Sequence, residues 1–379
     1  MPASAQTSLH VALNAHLLSG RDSYRSAGIH HYILHLLRYL SSLSDGIRLT
    51  ALVGADAVAP DTPVRLVRSS QNTDQAWRRV LWEQAIQPRA LGRIAVDVVH
   101  GPAFVGPLVS PCPVVITIHD LSFIRFPQLF HRANRIYLTV MSRLSARRCS
   151  QVIAVSEHTA RETEELLGVN RRRITVVYHG VDPRFRPLPA DKIAAFRERR
   201  GLPEQFVLFV GTLEPRKNLK RLVEAFAQLQ PSGIGLVLAG GKGWLYEDLF
   251  ARVDRLGLHE VVLFPGYVSQ DELALWYNAA TVFAYPSVYE GFGMPVTEAQ
   301  ACGTPVMTSS TTSLPEAAGE AAILVDPYDV GAIAAGLRQL VEDEDPRQHL
   351  GEQGLTHARH FNWTQTAQET VQVYRKAAE

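Results

Sequence analysis

The stretch FVLFVGTLEPRKNLKRLVEAF, residues 206–226, reads in order as a strand, a loop and a helix. Arg216 and Lys217 fall in the loop, and Asn218 stands where a helix N-cap is expected. Two cations at the carboxyl end of a strand, beside a helix N-terminus, can hold a diphosphate. Arginine would grip the oxygens bidentately and lysine would act as a point charge. A pair of exposed surface charges explains the same residues equally well. The strand-then-helix alternation recurs along the chain. Short runs rich in Val and Ile are LHVALN, IRLTALV, DVVH, PVVITIHD, QVIAVS and ITVVYHG in the first half. FVLFVG, IGLVLAGG, VVLFPGY, TVFAYP, TPVMTS and AAILVD follow in the second. Continuous apolar strands separated by helices predict parallel sheets covered on both faces. Two doubly wound α/β domains follow, with ligands expected at the carboxyl ends of the strands, across a central cleft.

The boundaries come from composition. Pro183, Pro187, Pro189 and Pro203 crowd the segment between the halves, which reads as a linker. The expected units are residues 1–183, a linker 184–203, a second domain 204–360 and a terminal segment 361–379. A length of 379 residues suits two domains of ordinary size. Cys112, Cys149 and Cys302 are too scattered for a disulfide framework or a zinc cluster and read as small buried residues of a reducing cytosol. The first residues lack the basic start and apolar run of a signal peptide, and no apolar run nears the ~18 residues of a membrane span. A cytoplasmic protein is therefore expected, with no nucleic-acid partner.

Several familiar signatures are missing. No G-x-G-x-x-G follows an early strand; AGGKGW, residues 239–244, has the wrong spacing. GTLEPRKN, from Gly211, approaches a P-loop, but Arg216 replaces its second glycine and Asn218 its Ser/Thr. An arginine there would obstruct a phosphate nest, which excludes that class of NTPase. Asp343–Asp345 mimics a metal-binding acidic pair, and His31 with His35 an i, i+4 metal pair, yet neither has further ligands nearby. No metal site is expected.

In VYEGFGMPVTEAQACGTPV, residues 288–306, two carboxylates, Glu290 and Glu298, flank a Gly-Phe-Gly-Met-Pro knot. Gly291, Gly293 and Pro295 argue against one continuous helix, since glycine costs roughly 1 kcal/mol and proline about 3 in a helix interior. Glu290 is thus expected to end a loop, Pro295 to open a helix, and Glu298 to sit one turn in. Acids beside a helix N-terminus, whose N–H groups attract anions, suit a ligand that is part sugar and part phosphate. PVVITIHDLSF, residues 113–123, ends a buried strand with His119 and Asp120, a functional pair or a structural histidine satisfied by its neighbour. Gly28, before a helix starting near Ile29, is a place where backbone can approach a ligand.

YEGFGMPVTEAQACGTPV resembles the E-x7-E signature of the retaining glycosyltransferases of family 4. VGTLEPRKNL, IHDL, VSEHTARE, HGVD and the terminal FNWTQTAQETVQVYRKA are similar to the same family in the same order, over essentially the whole chain. The resemblance implies the GT-B architecture, a nucleotide-diphosphate-sugar donor held mainly by the C-terminal domain, no metal or cofactor, and a last helix that returns to the N-terminal domain. It implies that Arg216 and Lys217 neutralise the leaving diphosphate and that Glu290 binds donor-sugar hydroxyls, assisted by the N–H groups of Phe292, Gly293 and Met294. Glu298 would take the ribose, His119 and Asp120 would lie by the sugar, Gly28 by the distal phosphate, and Val268 and Lys242 by the base. Two departures stand out. Thr212 follows Gly211 where many relatives have arginine, and Gly28-Ile29-His30 replaces the usual Gly-Ile-Gly. The EPRKN form resembles the family's mannosyltransferases, so GDP-mannose is the expected donor, ahead of UDP-glucose and UDP-N-acetylglucosamine. A sugar-nucleotide epimerase and an inactive sugar-binding protein are the alternatives on the same fold.

Charge is divided unequally. Residues 1–183 hold 20 Arg, no Lys and 13 acids, a net +7, whereas 18 bases and 24 acids leave residues 184–379 at −6. Ten arginines lie between Arg125 and Arg173. Within HRANRIYLTVMSRLSARRC, residues 131–149, Ile136, Val140 and Leu144 recur at helical spacing. That stripe is expected to face the core with the arginines solvated, while the charge excess points to an acceptor carried on an anionic lipid and to peripheral membrane contact. A soluble saccharide acceptor is the other possibility.

Overall fold

The computed structural model describes residues 8–18, 27–43, 46–55, 57, 62–69, 73, 75–229, 233–241, 243 and 247–379. The chain divides into two compact units, residues 1–180 with 363–379, and residues 181–362.

In the first unit the strands are β1 (Leu9–Asn14), β2 (Ile47–Val53), β3 (Arg65–Arg68), β4 (Val98–Gly101), β5 (Val114–Ile118), β6 (Gln151–Ala154) and β7 (Ile174–Val176). They pair in parallel in the order β3-β2-β1-β4-β5-β6-β7. Successive side chains of a strand point to opposite faces, and β1 shows the consequence. Val11 and Leu13 enter one buried cluster and Ala12 the other. Both faces are therefore dry, which explains the unbroken apolar runs. The helix Ala27–Ser42 covers the first face with Tyr32, Ile33, Leu36, Leu37 and Leu40. The C-terminal helix Trp363–Ala378 lies on the same face, burying Trp363, Ala367, Val371 and Tyr374. Its Tyr374 hydroxyl lies 2.7 Å from His100 Nδ1, a buried polar contact across the sequence.

The second unit repeats the plan with β8 (Gln205–Val210), β9 (Ile234–Ala239), β10 (Val262–Gly266), β11 (Val282–Tyr285), β12 (Val306–Ser309) and β13 (Ala322–Val325). The order is β10-β9-β8-β11-β12-β13, again all parallel. At Gly240 (φ 157°) a Cβ would lie 1.8 Å from the Gly211 carbonyl oxygen, so only glycine lets the two strand ends run together.

Three expectations need correction. The segment 184–203 contains a helix, Ala190–Arg200. Its prolines stand outside that helix, at 183, 187, 189 and 203, and so frame it rather than break it. Ile136, Val140 and Leu144 do not face the core. They lie on the solvent side of the helix Arg132–Arg148, 50%, 48% and 37% exposed, while Ser142, Ser145 and Ala146 are turned inward. Small residues allow that helix to approach its sheet closely, and Ser145 Oγ reaches the backbone of Gly106 at 3.2 Å. Gly28 is not ahead of its helix but is the second residue of Ala27–Ser42, and it is exposed.

Candidate active site

The loop after β8 is short and held from several sides. Residues Pro215–Lys217 form a single 3-10 turn, and Asn218 follows in the left-handed region at φ 61°. The Asn218 side chain does not cap the helix Leu219–Ala227. Its amide instead donates to the carbonyls of Pro286 (3.0 Å) and Pro327 (2.6 Å), which ties the turn to the chain just beyond β11 and β13. Val288 N donates to the Arg216 carbonyl at 2.9 Å, and Ser287 Oγ lies 3.0 Å from the same oxygen. The helix is anchored by buried Leu219, Leu222, Val223 and Phe226. This scaffold fixes where Arg216 and Lys217 point.

Both cations meet Glu290. Lys217 Nζ donates to Glu290 Oε1 at 2.6 Å, and Arg216 Nη1 to Oε2 at 3.0 Å. Ser287 Oγ (2.6 Å) and Tyr285 OH (3.1 Å) add bonds to Oε1. Lys217 also bonds the Tyr285 hydroxyl at 2.6 Å, and the far side of the Arg216 guanidinium takes Glu214 Oε1 at 2.7 Å. Lys217, Glu214 and Glu290 are all buried, so surface charge does not describe the pair. Two cations face two carboxylates, and the cluster is neutral as a whole. Burial alone would raise the Glu290 pKa, but Arg216 and Lys217 outweigh it and hold the carboxyl down at about 2. Burial lowers the Lys217 pKa, with Glu290 opposing.

The knot does what its composition predicts locally. Gly293 (φ 112°) stands at the N-cap of the helix Met294–Ala301, and Pro295 is in its first turn. A Cβ on Gly293 would meet Leu314 at 2.8 Å. Ser313 Oγ lies 2.9 Å from the carbonyls of both Glu290 and Phe292, fixing the path into the helix. Glu298, in the same helix, accepts the Tyr277 hydroxyl at 2.9 Å and is a separate site from the ion cluster. Burial pushes its pKa up to about 7; Asp182 adds to the rise, and Tyr277 and Arg184 oppose it. Val268 lies between β10 and the helix Gln270–Ala279. Lys242 lies outside the described residues.

His119 and Asp120 follow β5 in the N-terminal unit. Asp120 does not satisfy the histidine by a hydrogen bond, because its Oδ1 accepts from Ser122 N (2.9 Å) and Oγ (2.6 Å). His119 Nε2 lies 2.8 Å from the Pro102 carbonyl oxygen. A carbonyl only accepts, so Nε2 carries the proton and Nδ1 keeps its lone pair. Burial lowers this imidazole's pKa, with Pro102 and Asp120 opposing. Tyr32 meets the ring edge-on at 4.9 Å. Sequence reasoning missed Glu214, Tyr285, Ser287 and Tyr277. Tyr285 was in view at the end of the run TVFAYP, but its bond to Glu290 needed the folded loop. Among the described residues, no group of three or more His, Cys, Asp or Glu could hold a metal ion.

Two parallel α/β domains with an acid- and cation-lined loop cluster on the second define the GT-B class of sugar-transferring enzymes. The solved sucrose-phosphate synthase from Thermosynechococcus elongatus superposes with a TM-score of 0.79 at 23% identity, over 97% of this chain and 98% of that one. Residues 192–357 match the model of the glycosyl transferases group 1, and residues 26–185 that of glycosyltransferase family 4. The O-antigen chain mannosyltransferase B of Escherichia coli is 33% identical over 282 residues, 73% of each chain. A D-inositol 3-phosphate glycosyltransferase of Streptomyces bingchenggensis is 36% identical over 249 residues, 60% of this chain and 53% of that relative. The chain belongs to the group 1, family 4 glycosyltransferases and is a hexosyltransferase resembling the family's mannosyltransferases.

Proposed function

We propose that the protein moves mannose from GDP-mannose to a saccharide or lipid-linked acceptor in cell-envelope polysaccharide or glycolipid synthesis, with retention of configuration and without a metal or cofactor. The observation that carries this is the neutral cluster of Arg216, Lys217, Glu214 and Glu290 at the end of β8. An arriving diphosphate competes with Glu290 for the two cations, and the displaced carboxylate is then placed to accept hydroxyls of the donor sugar. In transfer, the bond from sugar C1 to the phosphate oxygen breaks and its electron pair stays on the phosphate. The acceptor oxygen bonds C1 from the same face, and its proton passes to the departing phosphate oxygen. Arg216 and Lys217 offset the charge that accumulates there, preorganised in a site of low dielectric. No carboxylate serves as a nucleophile in this scheme, in contrast to a retaining hydrolase. Glu298 takes the ribose, His119 Nδ1 accepts from the sugar, and Val268 lies by the base. Mannose is preferred because the O-antigen relative is a mannosyltransferase. The test is thermal denaturation against GDP, UDP and ADP with EDTA present, since a bound ligand stabilises the fold. GDP is expected to give the largest rise; a rise only with UDP, or only after added manganese, rejects the donor or the metal-free scheme.

The exposed stripe supports the lipid-linked acceptor. Ile136, Val140 and Leu144 present an apolar face to solvent, and Arg132, Arg143, Arg147 and Arg148 are exposed around it. An apolar stripe ringed by arginines fits an anionic membrane surface, where each basic residue contributes about 1 kcal/mol. No helix among the described residues is long and apolar enough to cross a membrane. Co-sedimentation with phosphatidylglycerol vesicles at low salt, lost at high salt, is the expected result; absence of binding at low salt favours a soluble saccharide.

A further inference from the structure

A line of polar side chains crosses the N-terminal unit through an otherwise apolar core. His100, on β4, and Thr117, on β5, are fully buried. His100 Nδ1 lies 2.7 Å from the Tyr374 hydroxyl of the C-terminal helix, and His100 Nε2 lies 2.8 Å from Thr117 Oγ1. Thr117 Oγ1 is in turn 3.1 Å from the hydroxyl of Tyr32, on the helix Ala27–Ser42. Two strands and two helices, one of them the last in the chain, are thus joined by side-chain contacts. Burial holds the His100 pKa down at about 3, and His119 adds to the fall. The ring is therefore neutral, with one nitrogen donating and the other accepting, so the contacts run in sequence along the line.

The line does not stop in the core. Pro102 stands two residues after His100 and His119 two residues after Thr117, just past the ends of their strands. The Pro102 carbonyl takes the His119 Nε2 proton at 2.8 Å. The Tyr32 ring meets His119 edge-on and stacks on His179, each with centroids 4.9 Å apart. Phe104 approaches His119 edge-on at 5.8 Å. The His119 imidazole is thus held by the end of β4 and by Tyr32, the two places to which the line leads. Packing does not require polar groups here, because replacing both partners of a buried hydrogen bond by apolar groups of the same shape can be nearly neutral. A bonded buried network instead fixes one arrangement of the rings that it joins.

We propose that Tyr374, His100, Thr117 and Tyr32 are positioning residues for the sugar-transfer step, setting the direction of His119 Nδ1. The C-terminal helix then acts on the reaction without touching the sugar. This rests on the reading in which His119 Nδ1 accepts from the donor sugar. A contact misplaced by about 1 Å can cost about 10²-fold in rate, so a loosened ring is read in turnover.

The experiment is a double-mutant cycle on the full chain, with kcat and KM read as nucleoside diphosphate released from GDP-mannose, UDP-glucose and UDP-N-acetylglucosamine. Tyr374→Phe removes the hydroxyl and keeps the ring; His119→Ala removes the group acted upon. In Tyr374→Phe, kcat is expected to fall about fivefold or more with KM unchanged to within about twofold. Added to His119→Ala, Tyr374→Phe is expected to lower kcat no further. A merely structural tie acts whether or not His119 is present. An equal fall in both backgrounds, or wild-type kcat in Tyr374→Phe, therefore overturns the proposal alone. Wild-type kcat in His119→Ala rejects the sugar contact as well, and no release by the wild type from any of the three donors rejects the transfer reading, so the failures are distinguishable. Should Tyr374→Phe fold poorly, Tyr32→Phe breaks the line at Thr117 while keeping the ring beside His119, and the same pattern is expected of it.

Discussion

The two units share one sheet plan but treat buried polar groups in opposite ways. At the end of β8, cations and carboxylates are pressed together, and Glu290 stays ionised with a pKa of about 2. At the end of β1, burial pushes the Glu83 carboxyl up to about 7 and the His16 imidazole down to about 4, so both are shifted toward their neutral forms. The difference lies in the neighbours, since both carboxyls are buried: Glu290 has Lys217 and Arg216 at bonding distance, whereas Glu83 is bonded by the Asn14 amide. Charges that are already matched can be exchanged for the charges of a diphosphate.

The largest effects are expected where that matching is broken. Arg216→Ala and Lys217→Ala should each lower kcat by about 10²-fold or more, because the contact is strongest in the transition state. Arg216→Ala also leaves buried Glu214 without its cation, at a cost on the order of 3–5 kcal/mol of stability, whereas Lys217→Ala leaves Glu290 paired with Arg216 and costs less. Lys217→Met combined with Glu290→Gln separates the two effects: thermal stability should recover and turnover should not. Near-normal turnover in either single variant would reduce the cluster to a structural ion pair.

The two glutamates of the knot sharpen the comparison inside one unit. Glu298→Gln should weaken GDP about tenfold, whereas Glu290→Gln should weaken GDP-mannose but spare GDP. Equal losses of GDP affinity, measured by calorimetry, would reject the division of labour.

Stability should also depend on pH in a definite direction. Glu83 and Glu298 each rise from 4.5 to about 7 in the folded chain. Between those values the folded state holds a proton that the unfolded state has lost, so stability falls as pH rises through this window. A shift of that size corresponds to at most a few kcal/mol per group. Urea denaturation of Glu83→Gln and Glu298→Gln at pH 5 and pH 7.5 should show a shallower fall than the wild type in each case. An unchanged slope in both would show that neither carboxyl is held protonated.

The smallest effect on folding belongs to the exposed stripe. Ile136→Ser with Val140→Ser should change stability by less than about 1 kcal/mol, as exposed positions do, while vesicle binding falls severalfold. Vesicle binding equal to the wild type would detach the stripe from any membrane role.

Much of this was legible in the sequence. Twelve apolar runs became strands; only β3, Arg65–Arg68, was absent from them. That strand is short, lies at a sheet edge and has arginine at both ends, as edges that avoid further pairing do. Pro295 marked its helix because proline fits a first turn. The orientation of Arg132–Arg148 was not legible, because periodicity shows which residues share a face and not which face is inward. There the small side chains Ser142, Ser145 and Ala146 won the core side. The line from Tyr374 through His100 and Thr117 to Tyr32 left no local signal. Its members come from separate elements, and hydrophobic periodicity locates elements, not the side chains they bring together.

The contrast between the two units is tested most directly by titrating GDP, with EDTA present, into the wild type, Lys217→Ala and Glu83→Gln. The account predicts metal-free binding that weakens at least tenfold in Lys217→Ala and is unchanged in Glu83→Gln. Equal affinity in Lys217→Ala, or a comparable loss in Glu83→Gln, would contradict it.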